Sequence, residues 1–275
     1  ARHVPQRCRV AVGMFVAAPA LSQGGSAQAV EEKSTVRAVD RALDVLLCFA
    51  EAPEWSLTEI ASRVSLHKST VHRMLASLER KGFVRKNPAT EKYRIGYRIL
   101  ELSAYLAQSD EPAVILLPEM ERLRDQLGET VTLYVRDGLE RIRIQAVHSH
   151  QAIRRVAPLG ARMPLYVGAS SKVLVAFAEP DIRELVLNDA SWPPSVDKAA
   201  FVRQLEEIRR DGFATSVEER EQGAAAVAAP VFDRSGRLAA ALSVSGPSNR
   251  FTLDVMRKHA PVIIEAANRM GTMLR

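Results

Sequence analysis

Between positions 68 and 73 stand Lys68, Ser69, Thr70, His72 and Arg73, five polar side chains interrupted only by Val71. Lysine and arginine bring positive charge and several N–H donors, while the two hydroxyls and the imidazole can both donate and accept. Together they could hydrogen-bond base edges and phosphate oxygens, provided they lie on the leading turns of a helix whose N-terminus enters a major groove. A solvated helix face has the same composition, so the five residues alone leave both readings open. More cations follow at Arg80, Lys81, Arg85, Lys86, Lys92 and Arg94.

The stretch Leu57–Lys81 supplies a helix of the required kind. Apolar residues at Ile60, Ala61, Val64, Leu66, Val71, Leu75 and Leu78 keep helical spacing on either side of a break at Ser65-Leu66-His67. A break of about three residues is the length of a helix-turn-helix connection. Ala61 is the small residue that lets the first helix be crossed closely, and Val71 is the branched residue that packs against it from the second. Ser56 and Glu59 form an S-x-x-E capping box at the start of the first helix, with Trp55 and Ile60 at the positions of a hydrophobic staple. Beyond the second helix, Phe83–Lys86 and Lys92–Ile95 are strand-like segments around the turn Asn87-Pro88-Ala89-Thr90. The natural reading is a winged helix-turn-helix. Arg85, Lys86, Lys92 and Arg94 on the wing would follow the phosphate backbone, giving affinity without sequence choice.

The charge distribution points the same way. Residues 34–98 hold 12 Lys/Arg against 7 Asp/Glu, whereas residues 99–275 hold 22 against 23 and the first 33 hold 4 against 2. The composition, 47% apolar and 25% charged over 275 residues, is that of a globular protein of about two domains. Cys8 and Cys48 offer neither a disulfide framework nor metal-ligand spacing, which suits a reducing, cytoplasmic setting. No apolar run reaches the ~18 residues of a membrane span. Residues 1–33 imitate a secretory signal, with Arg2, Arg7 and Arg9 ahead of an apolar run from Val10 to Leu21. Pro19 interrupts that run, so the segment is read as a disordered tail or an over-extended reading frame.

Elsewhere, Val39, Leu43, Leu46 and Ala50 mark an amphipathic helix over 35–50 that should pack under the helix-turn-helix. Ile99, Leu102 and Leu106 mark another over 97–108, followed by a break at Ser109-Asp110-Glu111-Pro112. The second half reads as helix over 112–128, strands over 130–135, 141–147 and 151–158, helices over 170–178, 180–187 and 197–211, and strands over 214–217, 224–232 and 238–245. Segregated helices beside such strands imply an antiparallel sheet with helices packed on it. Met256, Ala260, Ile263, Ala267, Met270 and Leu274 form the seam of a closing helix, for which core packing is expected. Catalytic chemistry is not visible. Glu218, Glu219 and Glu221 are too closely spaced to face one another across a substrate and read as a solvated turn. An S-x-x-K motif ending at Lys172 fails because Ala169 stands at its first position. His148 and His150 lack a third ligand, so neither metal nor cofactor is expected.

The segments VRAVDRALDVLLCFAE, LTEIASRVSLHKSTVHRMLASLERKGFVRKN and KYRIGYRILEL, then RMPLYVGASSKVLVA, GFATSVEEREQGAAAVAAPVFD and AALSVSGPSNR, resemble the IclR-type family of bacterial transcriptional regulators, in the family's order from Val36 to the C-terminus. Two departures stand out: Ser65 where the turn usually has Gly, and His67 where Pro commonly opens the recognition helix. The resemblance implies an α+β chain with a winged helix-turn-helix over 34–96, a linker helix over 97–111 and a GAF-like, profilin-like effector domain over 112–275. It also implies an effector pocket between the loop Gly168-Ala169-Ser170-Ser171 and the strands carrying Ser216, Ala226, Ser243 and Ser245. Small side chains leave volume there, while hydroxyls and helix-start N–H groups suit a carboxylate without a buried cation. Ser216 departs from a family member with an acidic residue at that place. The expected function is a homodimeric or tetrameric regulator on a pseudo-palindromic operator in double-stranded DNA, modulated by a small organic acid. A small-molecule sensor without DNA binding and, on the signal-like start alone, an exported enzyme are the competing readings.

Overall fold

The computed structural model describes residues 36–108, 112–154 and 158–274. The amino-terminal tail, the break at 109–111 and the middle of the expected strand over 151–158 lie outside the described residues. Helix α1 (Arg37–Leu47) ends in a single 3-10 turn over Cys48–Ala50, followed by α2 (Leu57–Arg63), α3 (Lys68–Arg80) and the two-stranded wing of β1 (Val84–Lys86) and β2 (Tyr93–Ile95).

Local signals set the boundaries of α2. The Ser56 hydroxyl accepts from the Glu59 N–H at 3.3 Å, and the Ser56 N–H donates to the Glu59 carboxylate at 2.7 Å. That second bond holds the Glu59 carboxyl below its usual range. Trp55 packs in the same apolar cluster as Ile60, and its backbone exchanges two hydrogen bonds with Tyr93, which ties the wing to the entrance of α2. Ala61 and Val71 are buried where the two helices cross. In the turn between them Ser65 has φ +53°, a left-handed conformation, and the Leu66 N–H donates to the Ala61 carbonyl at 3.0 Å. His67 is the N-cap of α3 with φ −65°, a value proline also takes.

Helix α1 differs from expectation. It buries Val45, with Cys48 and Phe49 of the following turn, whereas Val39 and Leu43 are more than half exposed. The helix is apolar on two sides, and periodicity alone cannot say which side meets the core.

After α4 (Tyr97–Gln108), the expected helix over 112–128 divides into α5 (Pro112–Ile115) and α6 (Leu117–Leu127). Pro118 stands in the first turn of α6, where its missing N–H costs nothing and its ring disfavours a continuous helix. A six-stranded antiparallel sheet follows in the order β5-β4-β3-β8-β7-β6. Its strands are β3 (Thr130–Asp137), β4 (Glu140–Val147), β5 (Arg162–Pro164), β6 (Ala214–Val217), β7 (Ala224–Phe232) and β8 (Leu238–Pro247). The expected strand over 151–158 is not one in its described part. Ile153 is exposed there, while Met163 and Leu165 are buried and anchor β5 along the start of β4 instead.

One sheet face, carrying Val131, Leu133, Val227, Leu242 and Val244, packs on α6 and on α10 (Leu253–Met273). All six expected seam residues, Met256 to Met270 within α10 and Leu274 just past its end, lie in that core. The other face meets α7 (Ala169–Ala176) and α9 (Lys198–Asp211), with α8 (Pro180–Leu187) beyond them. No helix among the described residues is long and apolar enough to cross a membrane.

The left-handed turn at Ser65 makes a prediction. An L side chain pays roughly 1–2 kcal/mol in that conformation, and glycine avoids it at some cost in unfolded-state entropy. Ser65→Gly is expected to be neutral to about 1 kcal/mol stabilising in urea unfolding, and Ser65→Val to destabilise by about 1–2 kcal/mol. Equal stability of the two variants would show that the turn does not require this backbone.

Candidate functional sites

Helix α3 presents Lys68, Ser69, His72 and Arg73 to solvent, with Thr70 half-buried, while Val71 and Leu75 on its opposite side are fully buried. The polar set therefore occupies one face of the first two turns. Ser69 is also part of the cap, since its N–H donates to the His67 imidazole at 3.4 Å and its hydroxyl lies 2.8 Å from the same nitrogen.

The wing cations are less free than their charges imply. The Arg85 guanidinium stacks on the Tyr97 ring at 4.1 Å, joining the wing to α4. Lys86 is ion-paired with Glu91, a bond that raises the lysine pKa, and Arg94 stands 3.8 Å from Glu54. Lys92 is half-buried and makes no ion pair among the described residues.

In the second half, the register brings the expected pocket residues together. Ser216 pairs with Ala226, Ala226 with Ser245, and Ser243 with Thr132, so these side chains stand on the sheet face that meets α7. Gly168, Ala169 and Ser170 come to the same cleft from the start of α7, and all seven expected residues line it together with Tyr134, Arg141, Arg220 and Glu221. The cleft holds about 450 Å³ of empty space including its open mouth. Gly168 has φ +92°, and a Cβ built on it would lie 3.1 Å from the Arg141 guanidinium. The backbone conformation therefore favours glycine, and a side chain there would also press on the Arg141 guanidinium.

Two expectations are corrected here. The cleft does contain a buried cation, because Arg141 is 3% exposed and donates to the Val167 carbonyl at 3.1 Å and to the Ser171 hydroxyl. The turn with Glu218, Glu219 and Glu221 is more than a solvated loop. Glu219 takes the Gly168 N–H at 3.0 Å and pairs at 2.5 Å with Lys172, which is buried and also donates to the Thr215 carbonyl. A carboxylate from the turn thus already sits at the N-terminus of α7, where negative charge is favoured. Glu218 receives the Gly223 N–H and the Ser248 hydroxyl. His150 faces Asp125 at 3.5 Å, and no group of three metal-ligating side chains is present among the described residues.

Comparison with known proteins agrees with both halves. Residues 38–88 match the IclR helix-turn-helix domain, and residues 107–272 match the bacterial transcriptional regulator IclR C-terminal family. The chain is similar to the HTH-type transcriptional regulator BhcR of Paracoccus denitrificans, 33% identical over 246 residues that cover 88% of each protein. It is also similar to the HTH-type transcriptional regulator KdgR of Escherichia coli, 29% identical over 252 residues, covering 89% of this chain and 95% of that one. Among solved structures, an IclR transcriptional regulator from Alicyclobacillus acidocaldarius superposes with a TM-score of 0.75 at 27% identity, covering 87% of this chain and 99% of that one. An IclR homolog from Microbacterium hydrocarbonoxydans, complexed with 4-hydroxybenzoate, gives 0.72 at 26% identity, covering 86% and 99%.

The Lys172–Glu219 pair yields a directional prediction. Removing the carboxylate leaves a deeply buried ammonium with one carbonyl, whereas removing the lysine leaves a carboxylate about one-third exposed. Breaking a fully buried pair costs about 3–5 kcal/mol, and water at Glu219 reduces that here. Glu219→Gln is expected to cost roughly 2–4 kcal/mol in urea unfolding, and Lys172→Met clearly less. The reverse order would mean that the ammonium is not held as described.

Proposed function

The chain belongs to the IclR family of bacterial transcriptional regulators, and from that premise we propose that its operator binding is modulated by a small organic acid held in the carboxyl-terminal cleft. It is a DNA-binding regulator with a carboxyl-terminal effector-binding domain, not an enzyme; BhcR and KdgR are both named as transcriptional regulators. A sensor without DNA contact and an exported enzyme are set aside on the same ground.

The observation that carries the effector proposal is the convergence of Ser216, Ser243, Ser245 and Ser170 with the helix start at Gly168-Ala169 on one narrow cleft, Ala226 leaving room between them. The serine hydroxyls there can donate to an acid's oxygens, and one homolog of the same fold is complexed with the aromatic acid 4-hydroxybenzoate. For the DNA half, Lys68, Ser69, Thr70, His72 and Arg73 read the groove, with Arg85, Lys86, Lys92 and Arg94 near the backbone. The internal partners of Arg85, Lys86 and Arg94 make these three the weaker contributors.

The regulator acts as a dimer or tetramer on a pseudo-palindromic operator. In support, Val39, Leu43 and Leu47 of α1 and Leu100 and Leu102 of α4 are each more than half exposed, apolar surface that a second copy of the chain would cover.

Arg73→Ala should weaken binding to the specific operator by about 1–3 kcal/mol, whereas Lys86→Ala should weaken all sequences alike and only slightly reduce the salt dependence. Unchanged operator affinity in folded Arg73→Ala would remove that residue from the reading face. A strictly monomeric mass by light scattering with operator binding intact would refute the oligomer. An acid effector should raise the melting temperature by binding only the folded state, and Ser245→Leu should abolish the rise. A wild-type response in Ser245→Leu would place the effector elsewhere.

A further inference from the structure

The proposed effector needs a receptor for its charge, and serines together with a helix start already shared with Glu219 are a weak one. We propose that a cluster of Arg141, Arg220 and the Tyr134 phenol receives the effector's carboxylate and makes the cleft select acids over neutral molecules of the same shape. The inference rests on the effector reading above and adds to it the residues that recognise charge.

Arg141 and Arg143 stand two apart on β4 and share a side of the strand. Tyr134 on β3 is in register with Arg143. Both guanidiniums lie 5.2 Å from the centre of the Tyr134 ring, and both arginines are buried. Arg220, on the turn between β6 and β7, reaches in so that its Nη1 is 2.6 Å from the Met163 sulfur, while Arg141 and Arg143 place nitrogens 3.8 Å and 4.0 Å from the same atom. Three guanidiniums thus gather around one thioether, a weak acceptor. Positive charge concentrated along one wall of the cleft attracts an anion.

The Tyr134 oxygen accepts from Nε and Nη2 of Arg143 at 3.1 Å and 2.8 Å. With both lone pairs engaged, the phenol has its O–H left to donate, and the cation behind it strengthens that donor. Tyr134, Arg141 and Arg220 line the cleft; Arg143 does not and acts as a positioning residue for the phenol. Glu221 stands 3.6 Å from Arg220 but at the exposed rim, with its side chain 62% accessible. Lys172 is already engaged by Glu219. A carboxylate set against guanidinium and phenol leaves Ser216, Ser243 and Ser245 to hold the body of the effector.

The test uses the full chain, thermal melting, and titration with 4-hydroxybenzoate and a panel of monocarboxylates, each paired with its primary amide. At least one acid should raise the wild-type melting temperature, and its amide should not. Tyr134→Phe and Arg220→Met should each weaken that acid by about tenfold or more, the range of one charge-assisted hydrogen bond. Arg141→Lys should weaken it too, and because Arg141 is buried the other two variants carry the test if this one does not fold. Wild-type affinity in Tyr134→Phe and Arg220→Met, with binding lost in Ser245→Leu, would overturn this proposal and leave the cleft reading intact. An amide as effective as its acid would overturn charge selection as well. Wild-type response in Ser245→Leu, or no response to any acid, would overturn both readings.

Discussion

The alternation of side chains along β7 and β8 is the constraint on which the effector half depends. Ala225, Val227 and Ala229 with Leu242 and Val244 belong to the core under α10, whereas Ala228 and Ala241 belong to the core under α7 and Ser243 and Ser245 face the cleft. Each fully buried valine or leucine contributes on the order of 1.5–3 kcal/mol. A one-residue slip would exchange that set for serines and alanines, so the apolar face holds the polar face in register. The cleft can be lined with small and polar residues because the sheet is anchored from behind. Gly271 of α10 shows how close that anchoring is, since a Cβ there would fall 2.1 Å from the Phe232 carbonyl oxygen.

Much of this was legible in the sequence where the signal is local. The S-x-x-E box, the three-residue turn and the small residue at the helix crossing are each specified within a few positions, and α2 and α3 follow them closely. The expected strands in the second half also mostly come out, because their alternation is long and their turns carry Gly or Asp. The outward face of α1 was not legible: Val39 and Leu43 have the same periodicity as Val45 and Phe49, and only the location of the core distinguishes them. The short β5 carried no signal beyond Met163 and Leu165, since three residues are too few to show a period.

The arginines of the cleft were hidden for a more specific reason. Counting back by twos from Val147, which lies in the α10 core, places Gln145, Arg143 and Arg141 on that same apolar face. The chain avoids this with an irregularity: Leu133 pairs with Gln145 but Tyr134 pairs with Arg143, so Ile144 is an extra residue in β4. Such a bulge turns what precedes it to the other face. Arg141 and Arg143 therefore reach Tyr134 and Met163 instead of leucines. A plain period of two cannot show this, because the bulge belongs to the pairing of two strands.

The two halves treat their cations in opposite ways, and the difference follows from what each has to meet. On the helix-turn-helix, Lys68, His72 and Arg73 are exposed, so water screens them and their burial costs nothing until a polyanion arrives. Arg85, Lys86 and Arg94 are held by Tyr97, Glu91 and Glu54, contacts that orient the wing at the expense of charge available for phosphate. In the effector half Arg141, Arg143 and Lys172 are buried, where an ion is costly unless dipoles and partners surround it. Lys172 meets this with a carboxylate and a carbonyl, Arg143 with a phenol and a carbonyl, and Arg141 with a carbonyl, a hydroxyl and an aromatic face. Replacing such buried ions by apolar residues of similar size is often neutral or stabilising. Of the three, Arg141 is the one that lines the cleft, so its charge is the one a bound molecule would meet.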